Sequence, residues 1–101
     1  DDIIDTAGSA VAAAEALKKA GAKDIYMCAT HALLSGQAVE RVKNSCLKEL
    51  VVTNSVTLPK EKQIDKIVQL SVAKIFGQGI LNLVDGKPIS DLFKYNPDFD
   101  K

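Results

Sequence analysis

The sequence is poor in several things, and each scarcity closes off a class of protein. Aromatic residues make up 5% of its 101 positions, so a core must be aliphatic, built from Ile, Leu, Val and Ala. Neither sign of charge is in excess: thirteen basic and thirteen acidic side chains give a formal net charge of zero. A nucleic-acid surface wants a basic surplus, and none is present. Arg41 is the only arginine, which is few for a protein handling polyphosphates, because arginine is the side chain that grips phosphate bidentately. His31 is the only histidine. Cys28 and Cys46 stand in apolar stretches without metal-site spacing and read as small core residues in a reducing compartment. There is no apolar run long enough to span a bilayer and no secretory leader pattern. The expectation is a cytoplasmic protein with neither nucleic acid nor membrane as a partner.

What is present begins at the first residue. Asp1-Asp2-Ile3-Ile4-Asp5-Thr6-Ala7-Gly8-Ser9 places two adjacent carboxylates, an apolar pair and a third carboxylate ahead of a turn of small side chains. Small side chains let backbone N–H groups approach a ligand closely, and Gly8 is the residue expected to take a positive φ if the turn demands one. A helix starting near Ser9 leaves its first N–H groups unpaired and aimed at the turn, a ready site for a phosphate dianion. The carboxylates do not suit phosphate. They suit sugar hydroxyls, from which they accept hydrogen bonds, or a Mg²⁺ shared with a sugar. The plain alternative for the same residues is an ordinary strand end and helix cap.

Residues 9–20 read as a helix with Ser9 as N-cap, an alanine run of high propensity, and Glu15 within reach of Lys18 and Lys19. The two lysines suit the negative end of the helix dipole, and Gly21 supplies the stop. Residues 24–30 read as a strand whose nearly continuous apolar run predicts cover on both faces. A loop holding His31, Ser35 and Gly36 follows, then a short helix over 36–44 with Ala38, Val39 and Val42 inward and Glu40, Arg41 and Lys43 outward. Further strands are expected at 47–53 and 67–72. A last helix at 73–85 presents Ile75, Phe76, Ile80, Leu81 and Val84, with Gly77 and Gly79 marking a bend or a close contact. Alternating strands and helices predict an α/β domain with a mainly parallel sheet and helices on both faces. Ligands of such sheets bind beyond the carboxyl ends of the strands, where residues 1–9 and the His31 loop both fall. A phosphate loop of this kind also needs a strand ahead of it, so an N-terminal strand is expected to be missing and the chain to be a fragment.

The opening nonapeptide resembles the ribose-phosphate loop of phosphoribosyltransferase-fold proteins, in particular the ribose-phosphate pyrophosphokinase family. Two later stretches extend the resemblance. Thr30-His31-Ala32-Leu33-Leu34-Ser35-Gly36-Gln37-Ala38 is similar to a family loop beside the active-site crevice, with Ala32 and Gln37 where that pattern has Gly and Pro. Gly86-Lys87-Pro88-Ile89-Ser90-Asp91-Leu92-Phe93 resembles the family's Gly-x-Ser-Val-Ser-x-Leu-Phe ending.

The resemblance implies a C-terminal ribose-phosphate-binding domain over residues 1–101. Asp5, Thr6, Ala7, Gly8 and Ser9 would wrap the 5-phosphate, and Asp1 and Asp2 would face the ribose hydroxyls. The parent would move the diphosphoryl group of ATP onto the C1 hydroxyl of ribose 5-phosphate with Mg²⁺. The ATP site, the metal ligands and the mobile Lys/Arg catalytic loop would come from residues outside this sequence, so no catalytic residue is expected within it and the chain alone should be inactive. Ser90 and Phe93 match a regulatory phosphate or nucleotide site between subunits, which implies a homo-oligomer. The competing readings are a phosphoribosyltransferase, which shares the loop, and a non-catalytic regulatory relative of the synthetase.

Overall fold

A run of aliphatic residues, buried alternately, makes β4 (Glu49–Thr53) the middle strand of a parallel sheet. In this computed structural model, which describes residues 1–97, β4 lies between β2 (Tyr26–Ala29) and β5 (Ile67–Leu70). The register sets Met27 beside Leu50 and Leu50 beside Ile67. Leu50 and Val52 project to one face and are fully buried there. Leu34, together with Ala38 and Val42 of α2 (Ala38–Lys43), packs against them. Each large aliphatic side chain buried this way contributes roughly 1.5–3 kcal/mol. A second, two-stranded sheet pairs β1 (Ile3–Ile4) with β3 (His31–Ala32), also in parallel. Ile4 and Ala32 join the same core. The residues expected to be a loop at His31 are therefore partly a strand, and that strand clamps the opening segment in place.

Helix α1 (Gly8–Lys19) uses its small side chains to lie close to the sheet, with Ala14 buried against Ile25 and Leu47. Its C-terminus closes as the glycine predicts. Gly21 has φ 103°, its N–H donates to the Lys18 carbonyl at 3.1 Å, and Ala22 N–H donates to the Leu17 carbonyl at 3.1 Å. These two bonds satisfy carbonyls that the helix end would leave unpaired. The expected Glu15 ion pairs do not form; Lys18 Nζ instead donates to the Lys23 carbonyl at 2.7 Å.

The parallel α/β expectation holds, but β2 is not covered on both faces. Strand alternation turns Tyr26 and Cys28 away from the packed face, and both are exposed. Cys28 is thus a surface thiol rather than a core residue, and Cys46 is half-buried; both are free. Among the described residues, Asp1 alone lies along the outer edge of β2. Its amino group donates to the Cys28 carbonyl at 3.0 Å, and its carbonyl accepts from Thr30 N–H at 3.2 Å. Beside that edge runs a groove of about 320 Å³ with Ala13, Leu17, Ile25, Tyr26 and Met27 in its wall.

A second compact unit begins at Ser71. It holds α3 (Ala73–Val84) and a 3-10 turn, Ser90–Phe93. The apolar face predicted for α3 is present, yet Ile75, Phe76, Ile80, Leu81 and Val84 are all exposed. The tight packing anticipated at its glycines does not occur: a Cβ on Gly79 would stand at an ordinary contact distance, 3.8 Å from Leu92 Cδ1, and one on Gly77 would meet nothing within 4 Å. Residues 98–101 of the expected 1–101 domain lie outside the described residues. No described helix is long and apolar enough to cross a membrane.

Candidate functional site

The turn between β1 and α1 holds Asp5, Thr6, Ala7, Gly8 and Ser9. Its shape departs from the expectation at two residues. Ala7, not Ser9, is the N-cap of α1, and Ala7, not Gly8, takes the left-handed backbone, with φ 66° and ψ 8°. For an L-residue that conformation costs roughly 1–2 kcal/mol. The Ala7 methyl is buried in the core beside Ile4, Ala29 and Ala32, which offsets part of that cost and fixes the turn. Gly8 becomes the first helical residue. A Cβ built on it meets nothing within 4 Å, so the backbone there faces open space.

The loop's carbonyls are almost completely spoken for. Thr30 N–H donates to the Asp1 carbonyl and His31 N–H to the Asp2 carbonyl at 2.7 Å. Leu33 N–H and Leu34 N–H both reach the Ile4 carbonyl, at 3.0 and 3.3 Å, and Ser35 N–H reaches the Asp5 carbonyl at 3.0 Å. Arg41 Nη1 donates to the Thr6 carbonyl at 2.8 Å. The Ala7 carbonyl takes the first helical bond, from Val11 N–H at 3.0 Å. The N–H groups of Gly8, Ser9 and Ala10 precede that bond and have no carbonyl one turn earlier to receive them. With acceptors tied back and donors bare at the positive end of α1, the turn has the polarity of an anion cradle. Its first helical turn contains no acidic side chain to compete for those donors.

The other predicted residues fall where the loop carries them. Asp1, Asp5, Ala7 and Ser9 line the groove beside β2, together with Ala10. Asp2, Thr6 and Gly8 are exposed along the same segment. Asp1 Oδ1 accepts from Asp2 N–H at 2.8 Å, and Asp2 Oδ1 from Ile3 N–H at 3.0 Å. Each exposed carboxylate keeps its second oxygen for a hydroxyl or a cation. Among the described residues no three His, Cys, Asp or Glu groups converge as a metal cage. The adjacent carboxylates fit instead a Mg²⁺ that retains waters and shares a substrate's oxygens. Ser90 and Phe93 sit on the turn of the second unit, where both are exposed, Phe93 to 83%.

Three residues near the loop were not anticipated. Ser55 Oγ lies 3.2 Å from the Thr30 carbonyl and shares a 2.7 Å hydrogen bond with His31 Nδ1. Thr53 Oγ1 donates to the same Thr30 carbonyl at 2.7 Å. His31 is therefore a bracing residue, as a lone histidine at a strand end usually is. Arg41 is the third. Its uniqueness and its outward position on a short helix were the available signals, but its partner, a backbone carbonyl, leaves no mark in a sequence.

Comparison with known proteins identifies the family and agrees with the fold. A ribose-phosphate pyrophosphokinase of Bacillus caldolyticus is 55% identical over 93 residues, 92% of this chain and 30% of the relative. One from Corynebacterium ammoniagenes is 54% identical over 93 residues, 92% of this chain and 29% of the relative. The crystal structure of phosphoribosylpyrophosphate synthetase from Mycobacterium smegmatis superposes with a TM-score of 0.83 at 32% identity, over 85% of this chain and 29% of that one. The chain thus spans about 30% of the length of the curated relatives it matches. The family described as the phosphoribosyl synthetase-associated domain matches residues 1–94, and the chain belongs to that family.

Proposed function

We propose that this chain is the ribose 5-phosphate-binding, C-terminal domain of a longer ribose-phosphate pyrophosphokinase. The observation that carries the reading is the polarity of the 5–9 turn, with its carbonyls held back by residues 33–41 and the N–H groups of Gly8, Ser9 and Ala10 left bare. In the reaction, the C1 hydroxyl oxygen of ribose 5-phosphate bonds to the β-phosphorus of ATP. The bond between the α- and β-phosphoryl groups breaks, AMP leaves, and the hydroxyl proton passes to solvent. Residues 5–9 hold the 5-phosphate, and Asp1 and Asp2 accept hydrogen bonds from the ribose hydroxyls. No residue of the chain is assigned as nucleophile or base, because the reactive oxygen belongs to the substrate. When bound, Mg²⁺ neutralises charge on the moving phosphates, and Asp1 and Asp2 would share in holding it.

The remaining parts of the proposal lie beyond the loop. ATP is bound by residues of the parent outside this sequence. A strand of the parent runs along the open edge of β2 and covers the apolar end of the groove beside it, at Leu17, Ile25, Tyr26 and Met27. The parent is a cytoplasmic homo-oligomer, and Ser90 and Phe93 contribute to a regulatory phosphate or nucleotide contact between its subunits. The test is to incubate the complete protein with ribose 5-phosphate, ATP and Mg²⁺ and follow phosphorus NMR. Formation of the 1-diphosphate with release of AMP is expected, and Asp1→Asn should raise the Mg²⁺ needed for half-maximal rate. Ribose 5-phosphate binding without turnover would point to a non-catalytic relative. Consumption of a base and a 1-diphosphate would point to a phosphoribosyltransferase.

A further inference from the structure

We propose that Arg41 is the positioning residue of the phosphate turn, fixing its shape through Thr6 and supplying its charge; the inference rests on the ribose-phosphate reading above. α2 is held by Ala38 and Val42, both fully buried, so the helix backbone that carries Arg41 is fixed. From that anchor Nη1 reaches the Thr6 carbonyl at 2.8 Å. The bond keeps the carbonyl turned back at the residue just before the left-handed Ala7. Were Thr6 to rotate, an acceptor oxygen would swing toward the donors of α1 and repel an anion.

The charge is as informative as the bond. Among the described residues the ion pairs are Lys48 with Asp24 and Lys94 with Asp91, so the guanidinium has no carboxylate partner. It stands beside a loop that leads into the N-terminus of α1, where the helix is itself partially positive. No acidic side chain stands in the helix's first turn. A dianion bound at the turn would serve both positive groups as a common partner. One of the guanidinium's five N–H donors is used by Thr6, which leaves others for a phosphate oxygen. The sole arginine of the sequence is thus spent at the one place where a fixed positive charge helps to hold a phosphate.

The experiment uses the complete protein and titrates ribose 5-phosphate calorimetrically at low and high ionic strength, with thermal melts of every variant. Arg41→Gln loses the charge and shortens the side chain by two atoms, and should weaken binding at least about tenfold at low salt. The deficit should shrink as salt screens the interaction, because Arg41 is exposed. Arg41→Lys keeps the charge and should stay within about threefold of the unaltered protein. Equal affinity for Arg41→Gln, or a deficit that is the same at both ionic strengths, would overturn the inference while leaving the ribose-phosphate reading intact. A merely structural role would lower the melting temperature of both variants and give no rescue by lysine, which also counts against it. Failure of the unaltered protein to bind ribose 5-phosphate would instead bring down the reading on which the inference stands.

Discussion

Gly8→Ala separates folding from binding with a single methyl group. Gly8 is helical with a negative φ, and a Cβ placed on it meets no atom within 4 Å. Alanine therefore fits the folded backbone without strain. Replacing glycine at such a position stabilises by about 0.4–1 kcal/mol, largely by restricting the unfolded chain. At the first helical residue the lower end applies, about 0.5 kcal/mol, or about 1–2 °C in the melting temperature of a chain of this parent's expected size. The same methyl enters the open space over the N–H groups of Gly8 and Ser9. A phosphate oxygen would be held beyond hydrogen-bond range of at least one donor. A charge-assisted hydrogen bond is worth about 1.5–3 kcal/mol, so affinity for ribose 5-phosphate should fall by at least about tenfold. The assay is a pair of measurements on the complete protein: a melt without ligand and a calorimetric titration with ribose 5-phosphate. The expected result is a higher melting temperature with weaker binding. A raised melting temperature with unchanged affinity would show that the phosphate does not sit over Gly8. A lowered melting temperature would show that the backbone there is not free to accept a side chain.

Leu50→Ala removes a fully buried side chain from the centre of β4 and should cost about 2–5 kcal/mol, read from the urea midpoint at constant slope; a cost under about 1 kcal/mol would deny Leu50 its core role. Ser55→Ala leaves His31 Nδ1 without its partner and should cost about 1 kcal/mol, with an NMR shift change confined to His31 and its neighbours; an unmoved ring signal would discount the bond. The 101-residue chain alone should convert no ribose 5-phosphate with ATP and should self-associate through the open edge of β2. A cooperative monomeric melt together with turnover would defeat that expectation.

The sequence made visible what depends on neighbours along the chain. The alanine run with Lys18, Lys19 and Gly21 marked α1, and its C-terminus closes at Gly21 as expected. Aliphatic runs marked β2, β4 and β5, with β2 trimmed at both ends, β4 at its start and β5 at its end. The loop of residues 5–9 was placed correctly between a strand and a helix because that signal is local. What stayed hidden depends on partners far away in sequence. The β1–β3 pairing joins residues 28 positions apart, and two-residue strands carry no periodicity to read. Ala7 was passed over because a positive φ is normally assigned to glycine, and only the buried surroundings of its methyl show why alanine holds that place. The apolar run of β2 and the apolar face of α3 predicted burial. Apolar pattern reports what a surface is suited to cover, and it does not report where the covering element comes from.

The tethering of the loop also bears on how fast it can act. From Asp1 to Thr6, all but one of the carbonyls are bound to donors between Thr30 and Arg41. These two stretches must move as one body. On the proposed reading, a phosphate arriving at such a turn would find its donors already in place, with no slow closing step between encounter and capture. The association rate should then be set by diffusion and by the attraction of the nearby positive groups, and release by the strength of the contacts themselves. Speed at the proposed site would come from stillness: a loop that has nowhere to go has nothing to wait for.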